Sequence, residues 1–286
     1  MRATRILLPV AALVLAALMP PRSVAHAEPP AGPIQYLPGV SGDYFAIDSV
    51  AADHRYHVFI RYPESYAEAP DWTYPVVYVL DGDTLFPLLA PQHLLLTYDE
   101  KLPEAIVVGI AYGSFDPPAN RRGFDFSADA ADAREDQGGA PAFLRFLKTE
   151  LIPQVEARVR ADPVRRVLVG QSRSGYMVLW SAWADPDLFW GRIASNPAVA
   201  PGREILLSAP AVTPARHDLG VVLVSGTRDE SATRREGARA WRERWEQAAD
   251  APWDAHLIEI EGGTHAASVG EAYRQAMLWL FRRGER

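Results

Sequence analysis

The run Val167-Leu168-Val169-Gly170-Gln171-Ser172-Arg173-Ser174-Gly175 constrains the fold of this chain more than any other stretch. An apolar, strand-like segment breaks at a Gly-x-Ser-x-small turn and resumes at once as Tyr176-Met177-Val178-Leu179-Trp180. A chain that passes from strand to helix in so few residues holds its central serine in a strained conformation, with the hydroxyl projecting above the sheet. Small residues two before and two after that serine are then a steric need. Gly170 meets it, and Ser174 stands where glycine is commonest. Ser174 is the poorer nucleophile candidate, because the residue two after it is Tyr176, a ring that the crowded turn does not readily accept. The plain alternative is a strand, a polar turn and a helix that Ser172 merely caps.

The rest of the chain repeats the same alternation. Short apolar runs rich in β-branched and aromatic residues alternate with longer helical patterns, the signature of strands and crossover helices in a mainly parallel sheet. An antiparallel pair over 44–49 and 55–62 opens the series, followed by strands over 75–80, 105–111, 167–170, 191–195, 221–225 and 255–259. The pattern predicts helices over 236–248 and 271–282, and one over 141–159 that Pro153 kinks. The fold class is therefore α/β, with about eight strands and helices on both faces of the sheet. A long loop over 112–139, holding Pro117-Pro118, Arg121-Arg122 and Gly138-Gly139, interrupts the rhythm. Loops of that length in compact domains are often functional.

The N-terminus reads as a secretory signal. Arg2 and Arg5 precede an apolar stretch from Ile6 to Met19, and Ala25-His26-Ala27 offers a cleavage site after Ala27. The stretch is short for a membrane span, and an uncleaved anchor is the alternative. Residues 1–27 are thus expected to be a signal peptide, 28–42 a proline-rich extended arm, and 43–286 one catalytic domain in a periplasmic or secreted protein without a stable membrane anchor. The chain has no cysteine, which excludes disulfides, thiolate metal sites and a cysteine nucleophile. Its formal net charge is −7, and its basic residues are scattered. Arg234, Arg235, Arg239, Arg242 and Arg244 alternate with acids on what reads as a solvated helix face. No nucleic-acid partner is expected of such a surface.

A serine hydroxyl needs a base, and histidine is the usual one. Of the histidines beyond the signal, His57 and His256 fall inside apparent strands, while no motif surrounds His54, His93 or His217. His265 differs: it sits in Glu261-Gly262-Gly263-Thr264-His265, after the last strand and before the last helix, where its ring can hang over the C-terminal edge of the sheet. The imidazole in turn needs a carboxylate. Val221 to Ser225 ends in Gly226-Thr227-Arg228-Asp229-Glu230, so Asp229 is the candidate acid and Glu230 its alternative. The order serine, acid, histidine is the one this architecture uses. Backbone donors for an oxyanion would be the amide of Arg173, next to the serine, and one from the turn Asp81-Gly82-Asp83-Thr84 after the third strand. Asp81 and Asp83 alone make a weak metal site.

The chain resembles the esterase D and enterochelin-esterase-like family of α/β hydrolases over residues 43 to 283. The resemblance rests on Tyr78-Val79-Leu80-Asp81-Gly82-Asp83, Gly170-Gln171-Ser172, Asp185-Pro186-Asp187-Leu188-Phe189, Ile193-Ala194-Ser195-Asn196-Pro197 and Thr264-His265. It implies an α/β-hydrolase fold with Ser172 as nucleophile, His265 as base, Asp229 as orienting acid, and the amides of Asp83 and Arg173 as oxyanion hole. The substrate would be a small-molecule carboxylic ester, cleaved through an acyl-enzyme without a cofactor. In layout the periplasmic siderophore trilactone esterases are the most similar group. Family members often have Glu at the acid position, and some trilactone esterases work with a Ser-His pair. Arg173 beside the oxyanion hole would attract an anionic acyl or catecholate group; a solvent-pointing or salt-bridged arginine is the alternative. Two rivals keep the same fold: an acyltransferase using an alcohol acceptor, and a binding protein without activity.

Overall fold

The structure, a computed structural model, describes residues 37–246 and 248–283. The expected signal peptide and most of the arm lie outside the described residues. Within 37–42 the chain makes a turn, in which the carbonyl of Leu37 accepts from the amides of Val40 and Ser41. Among the described residues, no helix is long and apolar enough to cross a membrane.

Strands β1 (Asp43–Ser49) and β2 (His54–Arg61) open the domain, and β3 (Tyr74–Val79) leads into the long helix α1 (Gly82–Glu100). Next come β4 (Ile106–Ala111), the single turn α2 (Arg122–Asp125), and a helical stretch split into α3 (Ala140–Phe146) and α4 (Ile152–Glu156). The chain continues through β5 (Ala161–Gln171), α5 (Arg173–Ala184), β6 (Gly191–Ser195), α6 (Arg203–Leu207), β7 (Gly220–Gly226), α7 (Ala232–Trp245), β8 (Asp254–Ile260) and α8 (Val269–Arg282). All eight strands form one sheet in the order β1-β2-β4-β3-β5-β6-β7-β8. The first two pairings are antiparallel and the rest parallel. This is the mainly parallel α/β-hydrolase architecture, a sheet with helices on both faces, that the sequence leads one to expect.

Strand periodicity distributes the core over both faces. Val76, Tyr78 and Leu80 join Leu168, Val221 and Leu223 in one cluster, covered by Phe143 and Phe146 of α3, Tyr176 and Met177 of α5, and Trp241 of α7. Val77 and Val79 point the other way with Val167, Val169, Val222 and Val224, and are covered by Leu89 of α1 and Tyr273 and Met277 of α8. Because both faces are buried, the central strands are continuous apolar runs rather than alternating ones.

Two elements differ from the expected outline. The kink at Pro153 is spread over a π-helical turn, Leu147–Leu151, just ahead of it. Proline lacks the N–H and crowds the carbonyl four residues back, and a widened turn relieves both. β5 begins six residues earlier than its apolar run, at Ala161, and pairs with Tyr74 of β3 across a register shift. Its first half is largely exposed, so no hydrophobic pattern marks it.

Candidate active site

The C-terminal ends of β3, β5, β7 and β8 share one edge of the sheet, and each delivers one part of the site. At the end of β5 the backbone of Ser172 adopts φ 60° and ψ −114°, a region that costs a non-glycine residue energy. The turn is closed by Ser172 N–H to Ser195 O at 2.9 Å and Tyr176 N–H to Ser172 O at 3.0 Å. A Cβ on Gly170 would lie 2.5 Å from the carbonyl of Ser174, so only glycine fits there. Ser174 is fully buried and ties the turn together: its Oγ accepts from the Gln171 amide at 2.8 Å and lies 2.7 Å from Asp81 Oδ2. A glycine at this position would lack that tie.

Opposite the turn, the chain leaves β3 through Asp81, in the left-handed region at φ 52°, and enters α1 at Gly82. α1 lies so close to β4 that a Cβ on Gly82 would come within 2.7 Å of the Ile110 amide. Asp81 and Asp83 are both committed to protein donors. Asp81 takes a bidentate ion pair from Arg122, with both N–O distances 2.8 Å, and Asp83 accepts from the amides of Tyr112 and Gly113 at 2.9 and 2.8 Å. These contacts fasten the start of the 112–139 loop to α1. Asp83 and Arg173 fall in the first turns of α1 and α5, where backbone N–H groups have no intrahelical acceptor.

His265 follows β8 in a loop laced to the end of β7 by the bonds Arg228 N–H to Gly263 O and Gly262 N–H to Thr227 Oγ1, both 2.9 Å. Its Nε2 lies 3.0 Å from Ser172 Oγ and its Nδ1 2.9 Å from Asp229 Oδ2. The His265 carbonyl is held by Gln171 Nε2 at 2.8 Å and by Asn196 Nδ2 at 3.1 Å. Asn196 is itself buried at φ 40°, and its Oδ1 accepts from the Gly226 amide at 2.7 Å. One side chain thus registers the ends of β6 and β7 against the histidine loop. Ser172, His265 and Asp229 are brought into one hydrogen-bonded line. Glu230 is exposed, and among the described residues no hydrogen bond or ion pair engages its side chain.

The carboxylate of Asp229 is 1% exposed, and burial alone would raise its pKa. Hydrogen bonds outweigh that: Arg234 donates through Nε at 2.8 Å and Nη2 at 2.6 Å, the Ser231 amide at 2.9 Å, and His265 through Nδ1. Together with the charge of Arg234 they hold the carboxyl well below the usual carboxylate range. Here the sequence expectation needs correcting. Arg234 does not belong to a solvated helix face: it lies in the first turn of α7 and reaches back to the loop that α7 leaves, pairing with a buried acid.

The cleft over Ser172 has a volume of about 350 Å³ and is lined by Asp81, Asp83, Phe115, Arg122, Gln171 and His265, among others. The 112–139 loop supplies Phe115, Asn120 and Arg122 to its wall. Arg173 is half-buried, and among the described residues no carboxylate lies within ion-pair distance of it. Burial and the neighbouring cations Arg122 and Arg134 lower its pKa. Sequence reasoning missed Gln171, Asn196, Arg122 and Arg234 as site residues. Gln171, Asn196 and Arg122 stood within quoted segments, but their partners come from other strands and loops, and no spacing encodes that.

The comparisons with known proteins agree with this architecture. The family described as "Putative esterase" matches residues 49–276. The ferri-bacillibactin esterase BesA of Bacillus subtilis is 31% identical over 160 residues, which cover 50% of this chain and 54% of that protein. The apo-salmochelin esterase of Escherichia coli is 31% identical over 173 residues, covering 57% and 53% respectively. The alignments thus span about half the length of these curated relatives. Among solved structures, an IroE-like serine hydrolase from Shewanella oneidensis superposes with a TM-score of 0.73 at 21% identity, covering 84% of this chain and 80% of that one. That likeness concerns the fold. The family match extends from the end of β1 into α8 and takes in every element that carries the site, so this chain belongs to the putative esterase family.

Proposed function

We propose that this protein is a serine carboxylic-ester hydrolase acting through an acyl-enzyme, and that it works in the periplasm or outside the cell on siderophore-type esters. The observation that carries the chemistry is the hydrogen-bonded line from Ser172 Oγ through His265 to Asp229 beneath an open cleft. In this reading Ser172 Oγ attacks the ester carbonyl while its proton passes to His265 Nε2. The carbonyl oxygen becomes an oxyanion that the amides of Asp83 and Arg173 receive. The C–O bond to the alcohol then breaks, and the leaving alkoxide takes the proton from His265. Water repeats the sequence in reverse roles and frees the acid and Ser172. Asp229 keeps the imidazole Nδ1–H directed at itself and stabilises the imidazolium that forms at each step.

The substrate class is supported by the names of the curated relatives, which are siderophore esterases. It is also supported by Arg173, a half-buried cation directly after Ser172 in the chain, with no carboxylate at ion-pair distance among the described residues, which suits an anionic substrate. The secretory location rests on the N-terminal sequence. The test is hydrolysis of a catecholate trilactone followed by chromatography. Linear and monomeric serine conjugates should appear with wild type and be absent with Ser172→Ala. Turnover of simple esters but not of trilactones would overturn the substrate class, and transfer of the acyl group to an added alcohol in preference to water would make the enzyme an acyltransferase.

A further inference from the structure

Next to the Ser172 cleft lies a second and larger cavity, a groove of about 790 Å³ between α1, the β1–β2 edge of the sheet and the start of the 112–139 loop. Its volume is within the range of small-molecule sites. The walls are aromatic: Tyr44, His57, Phe59, Phe86 and Phe115 all line it. Three of these rings form a continuous surface, with Phe59 stacked on Phe86 at 5.7 Å between centroids and Tyr44 tilted against Phe59 at 5.2 Å. Tyr44 and Phe115 stand at the rim 55% and 71% exposed, an arrangement that leaves apolar area in water unless something covers it.

Asp83 and Phe115 line both the groove and the Ser172 cleft, so the two adjoin there. His265 lines only the cleft. That asymmetry orients an ester. The leaving oxygen must sit near His265 Nε2 to collect its proton, and the carbonyl oxygen must face the backbone donors. The remaining substituent of the carbonyl carbon, the acyl group, is then directed away from His265, past Asp83 and into the groove. The Asp83 carboxylate does not obstruct this path as a free charge, because both its oxygens are occupied by the Tyr112 and Gly113 amides. Those same bonds pin the loop that carries Phe115.

We infer that this aromatic groove is the acyl-binding subsite of the Ser172 centre and selects esters whose acyl group ends in an aryl ring. The inference rests on the reading of Ser172 as nucleophile. Its test compares kcat/KM for p-nitrophenyl 3-phenylpropionate and p-nitrophenyl acetate, which share a leaving group and differ only in the acyl part. Wild type should favour the aryl ester at least about tenfold, since burying a ring in an apolar site is worth that much. Ser41→Trp places a large ring in the groove and should lower that ratio at least about fivefold. Phe115→Ala, which removes a rim ring, should lower it about threefold. A wild-type ratio near one, or a ratio unchanged in both variants, would overturn the subsite while leaving the esterase standing. No turnover of either ester by wild type would overturn the esterase reading and this inference with it.

Discussion

Asp229 takes side-chain hydrogen bonds from His265, the Ser231 amide and both arms of the Arg234 guanidinium while almost wholly buried. A buried carboxylate paired this way resists protonation, and its folded pKa lies below its unfolded value. The stability it contributes is therefore present above the ordinary carboxylate range and is lost as pH falls through the depressed value. Removing Arg234 leaves a buried, underpaired charge. Arg234→Ala should cost about 2 to 4 kcal/mol of stability at pH 7, with a smaller difference at pH 3, as measured by denaturant titration at both pH values. Arg234→Lys should restore part of it, because a point charge replaces the charge but not the fork. Asp229→Ala should lower kcat/KM at least about a hundredfold, whereas Glu230→Ala should stay within about twofold. Equal losses would mean that the chosen carboxylate is not the one that orients His265. At this scale the sequence was informative about residues whose role is announced by their own neighbourhood. Ser172 follows an apolar strand, and His265 and Asp229 follow two others. Arg234 was illegible, since a charged residue on an amphipathic helix looks the same whether it meets water or a buried acid five residues earlier.

Between elements, two polar contacts take over work that packing alone cannot do. Ser174 joins the Ser172 turn to Asp81, and through Asp81 to Arg122 of the long loop. Ser174→Ala keeps the volume of the turn but leaves Asp81 with one donor fewer. If the proposed oxyanion donors act as described, a fall in kcat of about three- to tenfold with little change in KM is expected in steady-state kinetics, because the Asp81–Asp83 side of the cleft loses its tie to Ser172. Arg192 in β6 is fully buried, and burial pulls its pKa down to about 9, so it stays charged at neutral pH. It donates to the carbonyls of Pro186, Phe189 and Asp185 and to Ser181 Oγ, locking the end of α5 to the turn at 185–189. Arg192→Leu strands those acceptors and should cost at least about 3 kcal/mol in a denaturant midpoint measurement. The Asp185-Pro186-Asp187-Leu188-Phe189 motif is thus a structural collar around Arg192. Its sequence pointed to the family without revealing this, because the partner lies on the next strand. Strand positions were legible wherever both faces are buried, and illegible in the first half of β5, where neither is.

On the scale of the whole molecule, the sheet edge gathers residues 81, 172, 229 and 265 from four strand ends, which is why their order along the chain was informative before any geometry. The aromatic groove was not legible in this way. It is built from β1, β2, α1 and the long loop, and only their assembly brings five scattered rings to the walls of one groove. The pH dependence of global stability has a second contributor in His93 of α1, buried against Tyr273 of α8 and the Pro103 carbonyl. Burial pushes its pKa down to about 4 from 6.5. The unfolded chain accepts that proton first, so stability is intact above about pH 6.5 and is lost as pH falls toward 4, by at most about 3 kcal/mol. His93→Gln should be less stable at pH 7 yet lose less between pH 7 and 4.5, a difference that denaturant titrations at the two pH values would register.

The central claim is that the Ser172 turn is a working nucleophile and not a helix cap. Reaction of the purified protein with a fluorophosphonate, followed by peptide mass spectrometry, tests it most directly. The account predicts one stoichiometric adduct on the peptide containing Ser172, loss of ester hydrolysis in step with labelling, and no adduct with Ser172→Ala or His265→Ala. Hydrolysis that survives full exposure to the reagent, or an adduct on a serine other than Ser172, would contradict it.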